Sequence, residues 1–144
     1  GVPIGSLPEV NRATVGDGNA ITGVVVGVVP ATQDSPLYSP ASTESVVLVC
    51  DDPYAEFEIQ ADGAVPVTSV GLNAVLIDTH SGSTVTGLSG TELDTTSDAP
   101  AADASNQLTI LSIAPDSLNV ANSAGNVIRV RINNHTEAHA SIGL

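Results

Sequence analysis

The sequence predicts an all-β fold: a compact antiparallel sandwich or barrel with an extended N-terminal arm. Three observations predict it. Runs of β-branched residues recur between turn residues, as in Val24-Val-Val-Gly-Val-Val29 and Val46-Val-Leu-Val49. Gly, Pro and Asp punctuate the chain every few residues, which spaces short strands rather than helices. No stretch of convincing length carries the 3.6-residue apolar period of a surface helix.

A single domain accounts for the 144 residues. A domain of this size buries roughly 68–70% of the surface its unfolded chain exposes, so no disulfide or metal staple is needed. Hydrophobic residues reach 42%, yet aromatics are 2% and Met and Trp are absent. Val, Ile, Leu and Ala must therefore do the packing, and stiff β-branched side chains suit a pleated sheet surface.

The elements follow in order. Residues 1–19 mix Pro, Gly and small polar residues with scattered apolar ones, and read as the extended arm; the β domain occupies 20–144. Gly16-Asp17-Gly18-Asn19 is a turn signal. The run 20–29 reads as a central strand buried on both faces, with Gly23 and Gly27 marking a bulge or a close backbone approach. Left as an open edge it is an aggregation hazard, so a neighbouring strand or a second subunit should cover it. Residues 30–42 carry three prolines and read as loop.

Ser45–Asp51 reads as a second buried strand. Residues 55–60 alternate, with Phe57 and Ile59 on one face and Glu56, Glu58 and Gln60 on the other. Pro66 makes Val65–Val67 an edge or a bend. Leu72–Asp78 reads as one apolar strand, Thr91–Asp94 as a short one and Leu108–Ile113 as another. Leu118–Val120 and Val127–Asn133 are expected to form a hairpin around Asn122–Gly125. In its second arm Ile128, Val130 and Ile132 share one face, and Arg129 and Arg131 the other.

Charge excludes some functions. Sixteen Asp and Glu against three Arg and no Lys give a formal net charge of −13. Nucleic-acid binding needs a basic footprint to displace counterions, and none exists. Anionic membrane surfaces are disfavoured for the same reason. The longest apolar stretch, Ala20 to Pro30, falls far short of the ~20 residues of a membrane span. The opening Gly1-Val-Pro-Ile-Gly5 lacks the regions of a signal peptide.

No constellation of catalytic residues stands out. Cys50 is the sole cysteine; Asp51 and Asp52 beside it oppose thiolate formation, and its strand position predicts a buried structural thiol. Asp78, His80, Ser81 and Ser83 contain the letters of a hydrolase triad but crowd on one loop, whereas a triad converges from a fixed frame. His135 and His139 lie four apart, in a segment without helical character that reads as a solvated tail. The acidic loops at Asp17–Asn19 and Asp94–Asp98 lack the ligand spacing of a calcium loop. No catalytic residue, cofactor or metal site is therefore expected. The polar feature with most structure is a charge ladder: Arg129 and Arg131 on one strand face against Glu56 and Glu58 on another, within the domain or between subunits.

Five segments carry a resemblance: Val46-Val-Leu-Val-Cys-Asp-Asp-Pro53, Phe57-Glu-Ile-Gln60, Val70-Gly-Leu-Asn-Ala74, Gly82-Ser-Thr-Val-Thr-Gly-Leu-Ser-Gly90 and Val130-Arg-Ile-Asn-Asn-His135. Over roughly residues 20–135 the chain resembles the decoration (cement) proteins of tailed-bacteriophage capsids. The resemblance implies a non-enzymatic, β-rich virion protein on the outer capsid surface. It would clamp neighbouring major capsid protein subunits and self-associate as a homotrimer or homodimer. Within that reading, Val2, Ile4, Leu7, Val10 and Arg12 of the arm are the candidates for capsid contact. The competing expectation is a head-fibre or tail-associated adhesin domain that binds host glycan on an aromatic platform, for which Tyr38 and Tyr54 are the available residues. A further alternative, a small hydrolase, would bring His80 or the His135/His139 pair into a pocket.

Overall fold

The computed structural model describes residues 7–116 and 118–144. Eight strands form among the described residues: β1 (Val24–Val28), β2 (Val47–Cys50), β3 (Glu56–Gln60), β4 (Asn73–Ala74), β5 (Leu76–Ile77), β6 (Glu92–Leu93), β7 (Leu108–Ile113) and β8 (Val127–Ile132). One 3₁₀ turn, Val67–Ser69, follows Pro66, and there is no α-helix among the described residues. The protein is all-β. Its sheets are antiparallel: a four-stranded one in the order β3-β8-β7-β4, and two ribbons, β1-β2 and β5-β6.

The central sheet rests on the alternation in β3 and β8. Phe57 stands opposite Val130 and Ile59 opposite Ile128, while Glu58 stands opposite Arg129 and Glu56 opposite Arg131. Because side chains alternate with period two, one face of the pair is apolar and the other charged. Ile128, Val130 and Ile132 are all buried, as are Leu108 and Ile110 from β7. Leu93 of β6, with Ala61, Val65 and Ile21, completes this core, and Phe57, Ile59 and Leu76 pack at its margin. Each fully buried aliphatic side chain contributes about 1.5–3 kcal/mol over its exposed state.

The apolar run 72–78 forms two strands instead of one. Asn73 and Ala74 pair with β7, then Leu76 and Ile77 pair with β6. Between them buried Val75 accepts the Asp94 N–H at 3.0 Å. The chain thus changes sheets within a single bend, which brings β6 over the core.

The hairpin expected from Leu118–Val120 is also different. β8 pairs with β7, and Leu118 and Val120 lie exposed in the connection between them. A local amide decides this. Asn119 Nδ2 donates to the carbonyls of Ala114 and Val127, and its Oδ1 accepts the Val127 N–H at 2.7 Å. That side chain does the work of a strand pair and leaves its neighbours facing solvent.

The β1-β2 ribbon departs most from expectation. Among the described residues it is not a central strand pair: β1 has β2 as its one strand neighbour. Val25, Val26, Val29, Val46 and Leu48 are exposed. The expected irregularity falls between Val25 and Gly27. At Gly23 any side chain would collide with the Cys50 carbonyl, so the ribbon's base closes only on glycine. Cys50 is half-buried, not enclosed as its strand position suggested; among the described residues β2 pairs with β1 alone.

The C-terminal segment is bound to the body where a solvated tail was expected. Asn134 accepts the Ile21 N–H, Ile21 accepts the Thr136 N–H, and Leu144 N–H donates to the Gly71 carbonyl at 2.9 Å. His135 is 3% exposed as a result.

Candidate functional site

The stretch leading into the domain is anchored by one side chain. Gln107, fully buried just before β7, donates from Nε2 to the carbonyls of Thr14 (2.9 Å) and Asn19 (3.1 Å). Its Oε1 accepts the N–H groups of Gly16 (3.0 Å) and Leu76 (3.1 Å). Both amide protons and both carbonyl lone pairs are used. Gly18 N–H adds a bond to the Ser105 carbonyl, and Asn19 Nδ2 closes the turn onto Val15 and Gly16. Residues 14–19 therefore belong to the body, and the boundary placed at residue 19 falls after the anchor.

Ahead of the anchor, residues 7–13 are exposed throughout. Leu7 is 61% and Val10 54% exposed. Arg12 forms an ion pair with Asp78 across an open depression lined also by His80, Ser81 and Gly90. Of the five arm candidates, Leu7, Val10 and Arg12 are thus placed on one exposed stretch; Val2 and Ile4 lie outside the described residues. The sequence held no periodic signal for Gln107, whose partners lie 31 to 93 residues away in the chain.

The ladder residues meet on the outer face of the central sheet. Arg129 Nη2 lies 3.4 Å from Glu58 Oε1, and Arg129 Nε lies 4.0 Å from Glu56 Oε2. One arginine thus serves both glutamates. Arg131 stands in register with Glu56 but has no carboxylate within 4.0 Å among the described residues. All of these side chains are substantially solvated, which limits each pair to about 0.2–1 kcal/mol.

Of the residues weighed for catalysis, Asp78, His80 and Ser81 line the open depression beside Arg12, whereas Ser83, His135 and His139 do not. His80 Nδ1 lies 2.7 Å from Glu92 Oε2 and 3.2 Å from Thr79 Oγ1 on an exposed loop. Ser83 Oγ accepts the N–H groups of Val85 and Thr86, which commits it to its own turn. His135 is buried while His139 is exposed. His135 Nδ1 accepts the Glu137 N–H at 3.0 Å. Among the described residues no three His, Cys, Asp or Glu side chains are grouped to hold a metal ion.

The acidic loop at 94–98 is organised by its own hydrogen bonds. Asp94 Oδ1 accepts the N–H groups of Thr96 and Ser97. Asp62 accepts the Thr95 N–H at 2.8 Å and the hydroxyls of Thr95 and Thr96. Partial burial pushes the Asp62 carboxyl upward, but the donated hydrogen bonds from Thr96 and Thr95 outweigh it and hold the group below its ordinary value. At Asp103, the Ser105 hydroxyl and then the Ser105 N–H do the same.

No family model, curated protein or solved structure matches this chain. No helix among the described residues is long and apolar enough to cross a membrane.

Proposed function

We propose that this protein is a structural component of a tailed-phage virion that decorates the outer capsid surface and bridges major capsid protein subunits. One observation carries the reading: an anchor fixed on buried Gln107 holds an exposed stretch that presents Leu7 and Val10 to solvent. A rigid body with a tethered apolar strap is what a clamp across a subunit boundary requires. The body contacts one subunit and the strap the next. Once either contact forms, the second becomes intramolecular, so two weak patches gain avidity.

Electrostatics agree with an outward-facing role. The net charge of −13 keeps copies apart over most of the surface and suits a solvated outer shell. Two of the three arginines, Arg12 and Arg129, are already paired within the chain. That leaves little basic surface for nucleic acid. The work proposed is contact, without catalysis. The segments that carry the resemblance include β2, β4, most of β3 and the end of β8.

The test is direct addition of the purified protein to tailed-phage shells stripped of outer proteins, with occupancy imaged by electron microscopy. Ordered density at repeating positions between capsid subunits is expected. Bare shells under all conditions, or density at a tail or fibre tip only, would refute the proposal.

A further inference from the structure

We infer that His135 is an acid-sensitive catch: as a neutral ring it keeps the seam between Ile21 and residues 134–137 closed, and its protonation opens that seam while the last residues of the chain stay bound. Nothing in this depends on capsid binding.

The hydrogen bonds of the ring define its charge state. His135 is 3% exposed. Its Nδ1 accepts the Glu137 N–H at 3.0 Å. A ring nitrogen that accepts carries no proton, so the hydrogen of the neutral imidazole sits on Nε2. Nε2 is buried and has no hydrogen-bond partner among the described residues. The imidazolium has an N–H on both nitrogens. In this site one of them would point at the Glu137 N–H, and the other would find no oxygen. Burying a charge without such partners is costly, so the second proton enters only when the ring leaves its place.

The ring stands on a seam whose bonds depend on its position. Ile21 and His135 form a parallel backbone bridge. The Asn134 carbonyl accepts the Ile21 N–H at 2.9 Å, and the Thr136 N–H donates to the Ile21 carbonyl at 3.1 Å. Beyond the seam, the chain is tied elsewhere. Asn73 Nδ2 donates to the Ser141 carbonyl at 2.7 Å, and the Leu144 N–H to the Gly71 carbonyl at 2.9 Å. Those ties do not involve the ring, so opening is confined to the seam.

Neighbouring charges do not rescue the imidazolium. Residues 18–33, which include the Ile21 side of the seam, contain no charged or titratable residue. The charged and titratable residues on the elements around it are Asp17, Asp103, Arg131, Glu137 and His139. Among the described residues no carboxylate lies within 4.0 Å of either ring nitrogen. The closed seam therefore excludes the second proton and the open seam accepts it. Opening is rarest above the ordinary imidazole value of about 6.5 and grows as pH falls below it. From pH 7.5 to pH 5 it should grow about thirtyfold, over a range in which most carboxylates remain ionised.

NMR of the purified chain tests this. At pH 7.5 the ring nitrogen shifts of His135 should report the Nε2–H tautomer. From pH 7.5 to pH 5 the exchange protection of the Ile21 and Thr136 amides should fall about thirtyfold, while Leu144 and the β8 amides keep theirs. His135→Asn offers Oδ1 to the Glu137 N–H and does not titrate, so it should remove the pH dependence at Ile21 and Thr136. A ring that takes up its second proton in this range with the seam amides still protected would overturn the inference. So would equal seam protection at both pH values, or the same acid loss in His135→Asn. The wild-type measurements decide the matter even where the variant does not fold.

Discussion

Gln107 Nε2 donates to the Thr14 carbonyl at 2.9 Å, joining the start of β7 to a residue 93 positions earlier. The same amide serves three other backbone groups, so its removal strands Asn19, Gly16 and Leu76 together. Gln107→Ala should destabilise the fold by about 1–3 kcal/mol, because four backbone groups, three of them half-buried, lose their partners at once. Chemical denaturation measures the loss. Hydrogen exchange at Gly16 should accelerate far more than at β8 amides, since the anchor opens before the sheet does.

Asn126 and Val65 give a second, smaller case. Asn126 Oδ1 accepts the Val65 N–H at 3.2 Å, and its Nδ2 donates to the Val65 carbonyl at 3.0 Å. The amide imitates a paired backbone. Asn126→Asp keeps the size but replaces the donor with an acceptor, which faces the Val65 carbonyl. A loss of about 1–3 kcal/mol in denaturant midpoint experiments is expected.

The β3–β8 core was legible in the sequence because each strand has one buried face, and period-two alternation reports that geometry directly. The β1-β2 ribbon was not, because a valine-rich run reads the same whether its own chain or another molecule covers it. Run 72–78 was read as one strand because apolar patterning does not mark the sheet change at Val75. His135 was misplaced because its burial depends on Ile21, 114 residues away. The anchor at Gln107 was invisible for a related reason: an amide's value lies in four distant backbone groups, none of which leaves a local pattern.

The charge ladder predicts modest, salt-dependent effects. Arg129→Gln should cost about 0.2–1 kcal/mol at low ionic strength and less in high salt, because its carboxylate partners are solvated. Arg131→Gln should cost less than Arg129→Gln, since no carboxylate lies within 4.0 Å of it among the described residues. A double-mutant cycle of Arg129 with Glu58 should return a larger coupling than Arg131 with Glu56.

Asp62 supplies a pH prediction. Its carboxyl titrates below its ordinary value of 3.8 in the folded chain, because donated bonds from Thr96 and Thr95 outweigh the opposing burial. A depressed folded value means the unfolded chain takes up the proton first. The stabilisation is therefore full above the ordinary value and lost as pH falls through the folded one. Asp62→Asn should lower stability at neutral pH and flatten its fall below about pH 4. Thermal melts of both proteins from pH 7 to pH 2 check the slope.

The central claim is that the exposed stretch held by Gln107 bridges capsid subunits. It is tested most directly by comparing occupancy of wild type and Leu7→Asp/Val10→Asp on stripped tailed-phage shells, with shell heat resistance read in parallel. Both substitutions fall on solvent-exposed positions, so the free protein should melt as the wild type does. The account predicts that the wild type fills the shell and raises its disruption temperature, while the double variant loses at least tenfold in affinity, about 1.4 kcal/mol or more. Equal occupancy and equal protection by the two proteins would contradict it.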